Sequence, residues 1–156
     1  MISQTAEYAL RAAVFLAENT GGQTTEQISQ ATKIPNAYLA KVLQLLSRSS
    51  IVQSQRGLGG GFTLKIAASK LTVLDVVNAV DPIERIRECP LDLDAHATKL
   101  CPLHRRLDEA TALVERAFGD TRISDLLAGP NADNIYTFPR QDKRKKKNTP
   151  AKKKGR

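Results

Sequence analysis

A mainly α-helical fold with one small β-hairpin is predicted by three observations. Residues 51–64 form two short strand-like runs around a glycine-rich tip; two short helical patterns with an Ile-Pro turn between them come first; a later segment carries apolar residues at heptad spacing. Combined, they predict a winged helix-turn-helix head followed by a long helix suited to dimerisation.

The first helix runs from Thr5 to Glu18, with Ala6, Ala9, Leu10, Ala13, Val14, Leu16 and Ala17 at helical spacing, and the segment from Asn19 to Gly22 ends it. Thr24 or Thr25 caps the second, whose buried side carries Ile28 and Ala31, and Lys33, Ile34 and Pro35 make the turn. A third helix begins around Pro35 or Asn36 and buries Leu39, Val42, Leu43 and Leu46. It leaves Asn36, Ala37, Ala40, Lys41 and Gln44 near an exposed leading face. It runs straight into the hairpin, where Ile51, Val52, Phe62 and Leu64 have strand character and Gly57, Gly59, Gly60 and Gly61 form the tip beside Arg56. In a winged helix-turn-helix this order puts a helix in the major groove of double-stranded DNA, with the wing arginine on the backbone or in the minor groove.

Beyond the hairpin, Thr72 caps a helix from Val73 to Val80, which Asp81 and Pro82 stop. The pattern is lost from Ile83 to Leu100, and Pro102 opens a long helix to Phe118. Its apolar positions Leu103, Leu107, Ala110, Val114 and Ala117 favour lengthwise packing against a partner helix, so a symmetric homodimer presenting two heads to a palindromic site is expected. Residues Thr121 to Leu127 read as a short capped helix, and Gly129 and Pro130 end the ordered part.

The formal net charge of +8 is unevenly distributed. Residues 139–156 hold ten Lys or Arg and one acid, leaving fourteen basic against fifteen acidic residues before them. Within that nearly neutral part, residues 1–70 carry seven basic and three acidic side chains, and residues 71–138 carry seven and twelve. The head is therefore where a polyanion fits, and the lysine-rich tail is expected to be disordered and to add salt-sensitive, nonspecific affinity for DNA. No apolar stretch reaches a membrane span and the N-terminus lacks the pattern of a secretion signal, which predicts a cytoplasmic protein without membrane contact.

In that compartment Cys89 and Cys101 are read first as metal ligands or reactive thiols, the bland alternative being isolated thiols in a loop. His104 lies one helical turn after Cys101, and Asp92, Asp94 and His96 stand between the cysteines. Thiolate and imidazole donors suit zinc or an iron–sulfur cluster, either of which takes about four donors per metal site. Enzymatic motifs are missing: no Walker lysine follows the glycines, no nucleophile elbow or metalloprotease pair is present, and the glycine tip opens onto a strand rather than a helix. The chain is not expected to be an enzyme.

The run from Glu7 to Ala12, the segment from Ile34 to Leu43, the wing from Arg56 to Phe62 and the stretch from Val73 to Asp81 together resemble the Rrf family of bacterial transcription regulators, the IscR- and NsrR-like winged helix-turn-helix proteins. The resemblance covers residues 1–128. It implies that Tyr8 touches phosphate, that Tyr38 with Asn36, Ala37, Ala40 and Lys41 faces the major groove, and that Arg56 and Gly57 form the wing contact. Alanine at position 40 stands where an IscR-like protein has a glutamate that helps discriminate sites, so the operator sequence is not carried over. Cys89, Cys101 and His104 match the first cysteine, last cysteine and histidine of the family's cluster loop, while Ala95 replaces its middle cysteine. Some relatives complete a cluster with a carboxylate from the partner subunit's first helix, the place Glu7 occupies. The resemblance thus implies a [2Fe-2S] cluster on Cys89, Cys101, His104 and Glu7, with His96 or Asp94 as substitute ligands. Cluster-free members imply the alternative of sensing through thiols or a partner protein, and the alternative of a different class is a nonspecific nucleic-acid-binding protein acting through its basic tail. The corresponding organisation is a DNA-binding head at 1–80, a sensor loop at 81–101, the dimerisation helix and a short helix at 102–128, and a basic tail at 129–156.

Overall fold

The computed structural model describes residues 2–57, 59–89 and 100–128. The basic tail and the loop residues Asp92, Asp94, Ala95 and His96 lie outside the described residues.

Helix α1 (Gln4–Glu18) starts where the Ser3 hydroxyl accepts from the Ala6 N–H, and it ends where the Asn19 side chain and backbone both donate to the Phe15 carbonyl. Its buried residues include Ala6, Ala9, Ala12 and Ala13, all with no exposed surface. These small side chains let α1 serve as the axle of the head, touching α2, α3, α4, α6 and β2. Helix α2 (Thr25–Thr32) is capped by Thr24: its hydroxyl accepts from the Gln27 N–H while the Gln27 side chain accepts from the Thr24 N–H. The Ser29 hydroxyl donates to the Ile34 carbonyl at 2.6 Å and fixes the turn into α3 (Asn36–Arg48). Leu39, Val42, Leu43 and Leu46 form the buried stripe of α3, as their spacing requires.

Strands β1 (Val52–Gln55) and β2 (Gly61–Leu64) pair antiparallel, Val52 opposite Leu64 and Gln55 opposite Gly61. The hairpin is shorter than the sequence indicates, because Ile51 instead donates its N–H back to the Leu46 carbonyl and packs in the core. A second anchor comes from the α1–α2 turn. Gln23 and Phe62 exchange both backbone hydrogen bonds, so the wing is stitched to the head along its free edge. Gly61 is required at that seam: its φ of 143° is rare for any side chain, and a Cβ there would lie 2.6 Å from the carbonyl carbon of Gln23.

Helix α4 (Val73–Asn78) has a capping box of Thr72 and Asp75 and ends two residues before the expected Val80. Helix α5 (Pro102–Asp120) is followed by α6 (Ile123–Leu127). Thr121 does not cap α6; its hydroxyl donates to the Ala117 carbonyl inside α5, and Arg122 occupies the cap position. Residues 121–124 return antiparallel along the segment before α4. Val73 donates to the Thr121 carbonyl, Ile123 to the Leu71 carbonyl, and the two segments bridge at Thr72 and Arg122. Ile123 is thereby fully buried in the head core beside α1.

Replacing Ile123 by alanine removes three methylene-sized groups from a fully enclosed site. The variant is expected to lose about 2–5 kcal/mol of stability, read as a lower denaturant midpoint in chemical unfolding.

Candidate nucleic-acid interface and thiol–imidazole group

The leading face of α3 is open. Asn36, Ala37, Tyr38, Ala40 and Lys41 are all exposed, Tyr38 at 60 % of its full surface, as a helix entering a groove requires. Tyr38 is steadied from α1 by the Tyr8 ring, whose centroid lies 6.3 Å away in an edge-to-face arrangement. The Arg11 guanidinium sits 5.8 Å over the Tyr8 ring, reaches the Thr32 carbonyl at 3.5 Å and pairs with Glu7 one turn earlier. Asn36 donates its side-chain amide to Glu26 Oε2 at 3.0 Å, and Gln30 donates to Glu26 Oε1 at 2.6 Å. These two hydrogen bonds, that from Asn36 first, hold the Glu26 carboxyl below the usual carboxylate range. At the wing, Arg56 and Gly57 are exposed, with Gly57 at φ 104°.

The second site gathers residues from both sides of the cysteine loop. Cys101 caps α5, which places His104 on the same face, and His104 Nδ1 lies 3.2 Å from Cys101 Sγ and 3.7 Å from Cys89 Sγ. All three ligand atoms fall within 4.8 Å of one another. The two edges from His104 Nδ1 have the length found between donors on one tetrahedral metal, for which bonds of about 2.0–2.3 Å put neighbouring donors roughly 3.3–3.8 Å apart. The donor chemistry fits zinc or iron–sulfur iron, with at least one further donor needed. Glu7 is not among the three; in its own helix it is paired with Arg11.

The strap that leads to Cys89 is tied to α5 by a clamp at Arg85 and Ile86. Arg85 donates two hydrogen bonds to the Asp108 carboxylate, both at 2.7 Å, and a third to Glu115 at 3.2 Å, while Asp108 also accepts from the Ile86 N–H. The hydrogen bonds from Arg85 keep Asp108 ionised below its ordinary range and push the guanidinium further up. Arg85 and Ile86, within a stretch that reads as patternless, are thus tied to α5. Neither this clamp nor the Glu26–Asn36 and Gln23–Phe62 contacts is signalled by local spacing, whereas the Glu7–Arg11 pair is visible as an acid four residues before a base. Among the described residues, α5 buries none of its side chains, and Leu103, Leu107, Leu113 and Val114 remain exposed.

The family model described as Rrf2, iron-dependent transcriptional regulator, matches residues 2–129. The chain belongs to the Rrf2 family. An Aquifex aeolicus protein named as an HTH-type transcriptional regulator is 31% identical over 143 residues, covering 89% of this chain and 97% of that relative. Among solved structures, Bacillus subtilis CymR, described as the global cysteine regulator, superposes with TM-score 0.68 at 23% identity over 82% of this chain and 96% of its own. IscR of T. potens gives TM-score 0.68 at 17% identity over 82% and 86% respectively. These likenesses show the winged-helix Rrf2 fold, and the family and its relatives are transcriptional regulators rather than enzymes. No described helix is long and apolar enough to cross a membrane.

For this Rrf2 protein the clamp has a defined pH response. A carboxyl with a lowered folded-state pKa stabilises above its unfolded value, about 3.9 for Asp, and loses that contribution as pH falls through the folded value. Amide exchange at Ile86 should therefore stay protected, relative to its intrinsic rate, from neutral pH to about pH 4 and lose protection below it. Arg85→Ala, which leaves the Asp108 acceptor but removes what lowers its pKa, should weaken the protection and shift its loss to higher pH.

Proposed function

We propose that this protein is a sequence-specific DNA-binding transcription regulator of the cytoplasm that responds to redox or iron–sulfur status through a [2Fe-2S] cluster. Cys89, Cys101 and His104 would hold the cluster together with Glu7 of the partner subunit. The single observation that carries the sensor half is the convergence of two sulfurs and one imidazole nitrogen within 4.8 Å, at the junction of the strap and α5. The DNA half rests on the exposed face of α3, the Tyr8–Tyr38 packing and the exposed Arg56 of the wing. Tyr8, Asn36, Ala37, Tyr38, Lys41, Arg56 and Gly57 are the proposed contacts to double-stranded DNA. The exposed Leu103, Leu107 and Val114 on α5 support a homodimer through that helix.

An iron–sulfur group would supply a one-electron couple with a raised potential, since imidazole and carboxylate replace thiolate. The residues of this chain do the rest. The cysteines anchor, His104 and Glu7 tune, and a change in the loop alters how α5 sets the two heads. The pairing of Glu7 with Arg11 favours a second reading in parts: without a fourth donor, the three-atom group can bind one metal ion or act as a thiol pair.

Protein prepared without oxygen should be coloured and contain iron, either cysteine changed to alanine should bleach it, and His104→Ala or Glu7→Ala should retain some cluster with altered lifetime. Colourless protein after reconstitution, binding its operator equally in reduced and oxidised buffer, would leave the cluster-free regulator. Separately, Arg56→Ala should weaken a specific duplex by about 1–3 kcal/mol in fluorescence anisotropy.

A further inference from the structure

Asn36 is the first residue of α3, and Pro35 before it offers no side-chain hydrogen bond, so the Asn36 carboxamide is oriented by its contact with Glu26 on α2. An ionised carboxylate only accepts, and it can be met only by the amide nitrogen. That requirement sets the amide flip. One N–H goes to Glu26 Oε2, while Asn36 Oδ1 and the second N–H are left for the exposed end of the helix. Both Glu26 oxygens are themselves engaged, Oε1 by Gln30 and Oε2 by Asn36, which leaves Asn36 as the reading group.

A recognition helix contacts base edges with its N-terminal residues. A side chain that offers one acceptor beside one donor matches adenine, which presents N6–H and N7 in the major groove. Guanine presents two acceptors, cytosine a donor, and thymine an acceptor beside a methyl. Resting on the DNA-binding reading above, we propose that Glu26 is a positioning residue for base readout, orienting Asn36 so that the start of α3 selects adenine.

The test is selection of binding sites from a randomised duplex library with the full chain, comparing wild type, Asn36→Ala and Glu26→Gln after checking that all three unfold at the same temperature. Wild type should enrich a motif containing an adenine whose preference falls about tenfold to a hundredfold in Asn36→Ala, with the other positions unchanged. Glu26→Gln, which can present either a donor or an acceptor to Asn36, should broaden that same position and no other. A merely structural role for Glu26 would weaken all sequences alike without moving one base. Adenine retained in Asn36→Ala would overturn the readout, and adenine retained at full preference in Glu26→Gln would overturn the positioning role. A wild-type protein that enriches no motif would overturn the DNA-reading assignment itself, and this inference with it.

Discussion

The head depends on the narrow girth of α1. Four alanines along it, Ala6, Ala9, Ala12 and Ala13, are fully enclosed, and around them pack α2, α3, α4, α6 and β2. A helix surrounded on nearly every side needs short side chains at its points of closest approach; the larger Val14, Phe15 and Leu16 fill the remaining space. Helix α3 and the return of α6 are therefore oriented against a common reference. Tyr8 adds a contact from the same element to the exposed ring of Tyr38, so a group on the proposed DNA-binding face is positioned by the axle as well as by its own helix.

Much of this was legible in the sequence because it is local. The apolar spacing of α1, α2 and α3, the threonines at positions 24 and 72, and the glycines of the wing each act over a few residues, where period and cap chemistry leave few alternatives. The differences lie where a distant partner competes. Ile51 looks like a strand residue, yet its N–H is taken by Leu46; Thr121 looks like a cap, yet its hydroxyl is taken by Ala117. The bridge between Gln23 and Phe62 joins segments 39 positions apart, and no spacing rule reports on such a pair.

The candidate sites divide in the same way. Residues Asn36 to Lys41 follow from helix periodicity, and the proximity of Cys101 to His104 follows from a three-residue step along a helix. The approach of Cys89 does not. Cys89 stands beyond a strap that Arg85 ties to Asp108 and Glu115, a pairing among several bases and acids that only the folded chain selects. Glu7 was readable as a candidate donor only from the resemblance, and in the folded chain it is engaged by Arg11 in its own helix, an ion pair that the proposed ligand role would have to displace.

The return of residues 121–124 to the segment before α4 has a consequence for the order of events during synthesis. Ile123 completes a core whose other buried members lie between Ala6 and Val77, so that core is complete only once the loop and the whole of α5 have been translated. In topological terms, the loop and the long helix are an insertion within the folding unit of the head rather than an appendage to it. Both ends of that insertion are tied to the same core, one leaving through α4 and the other arriving through α6.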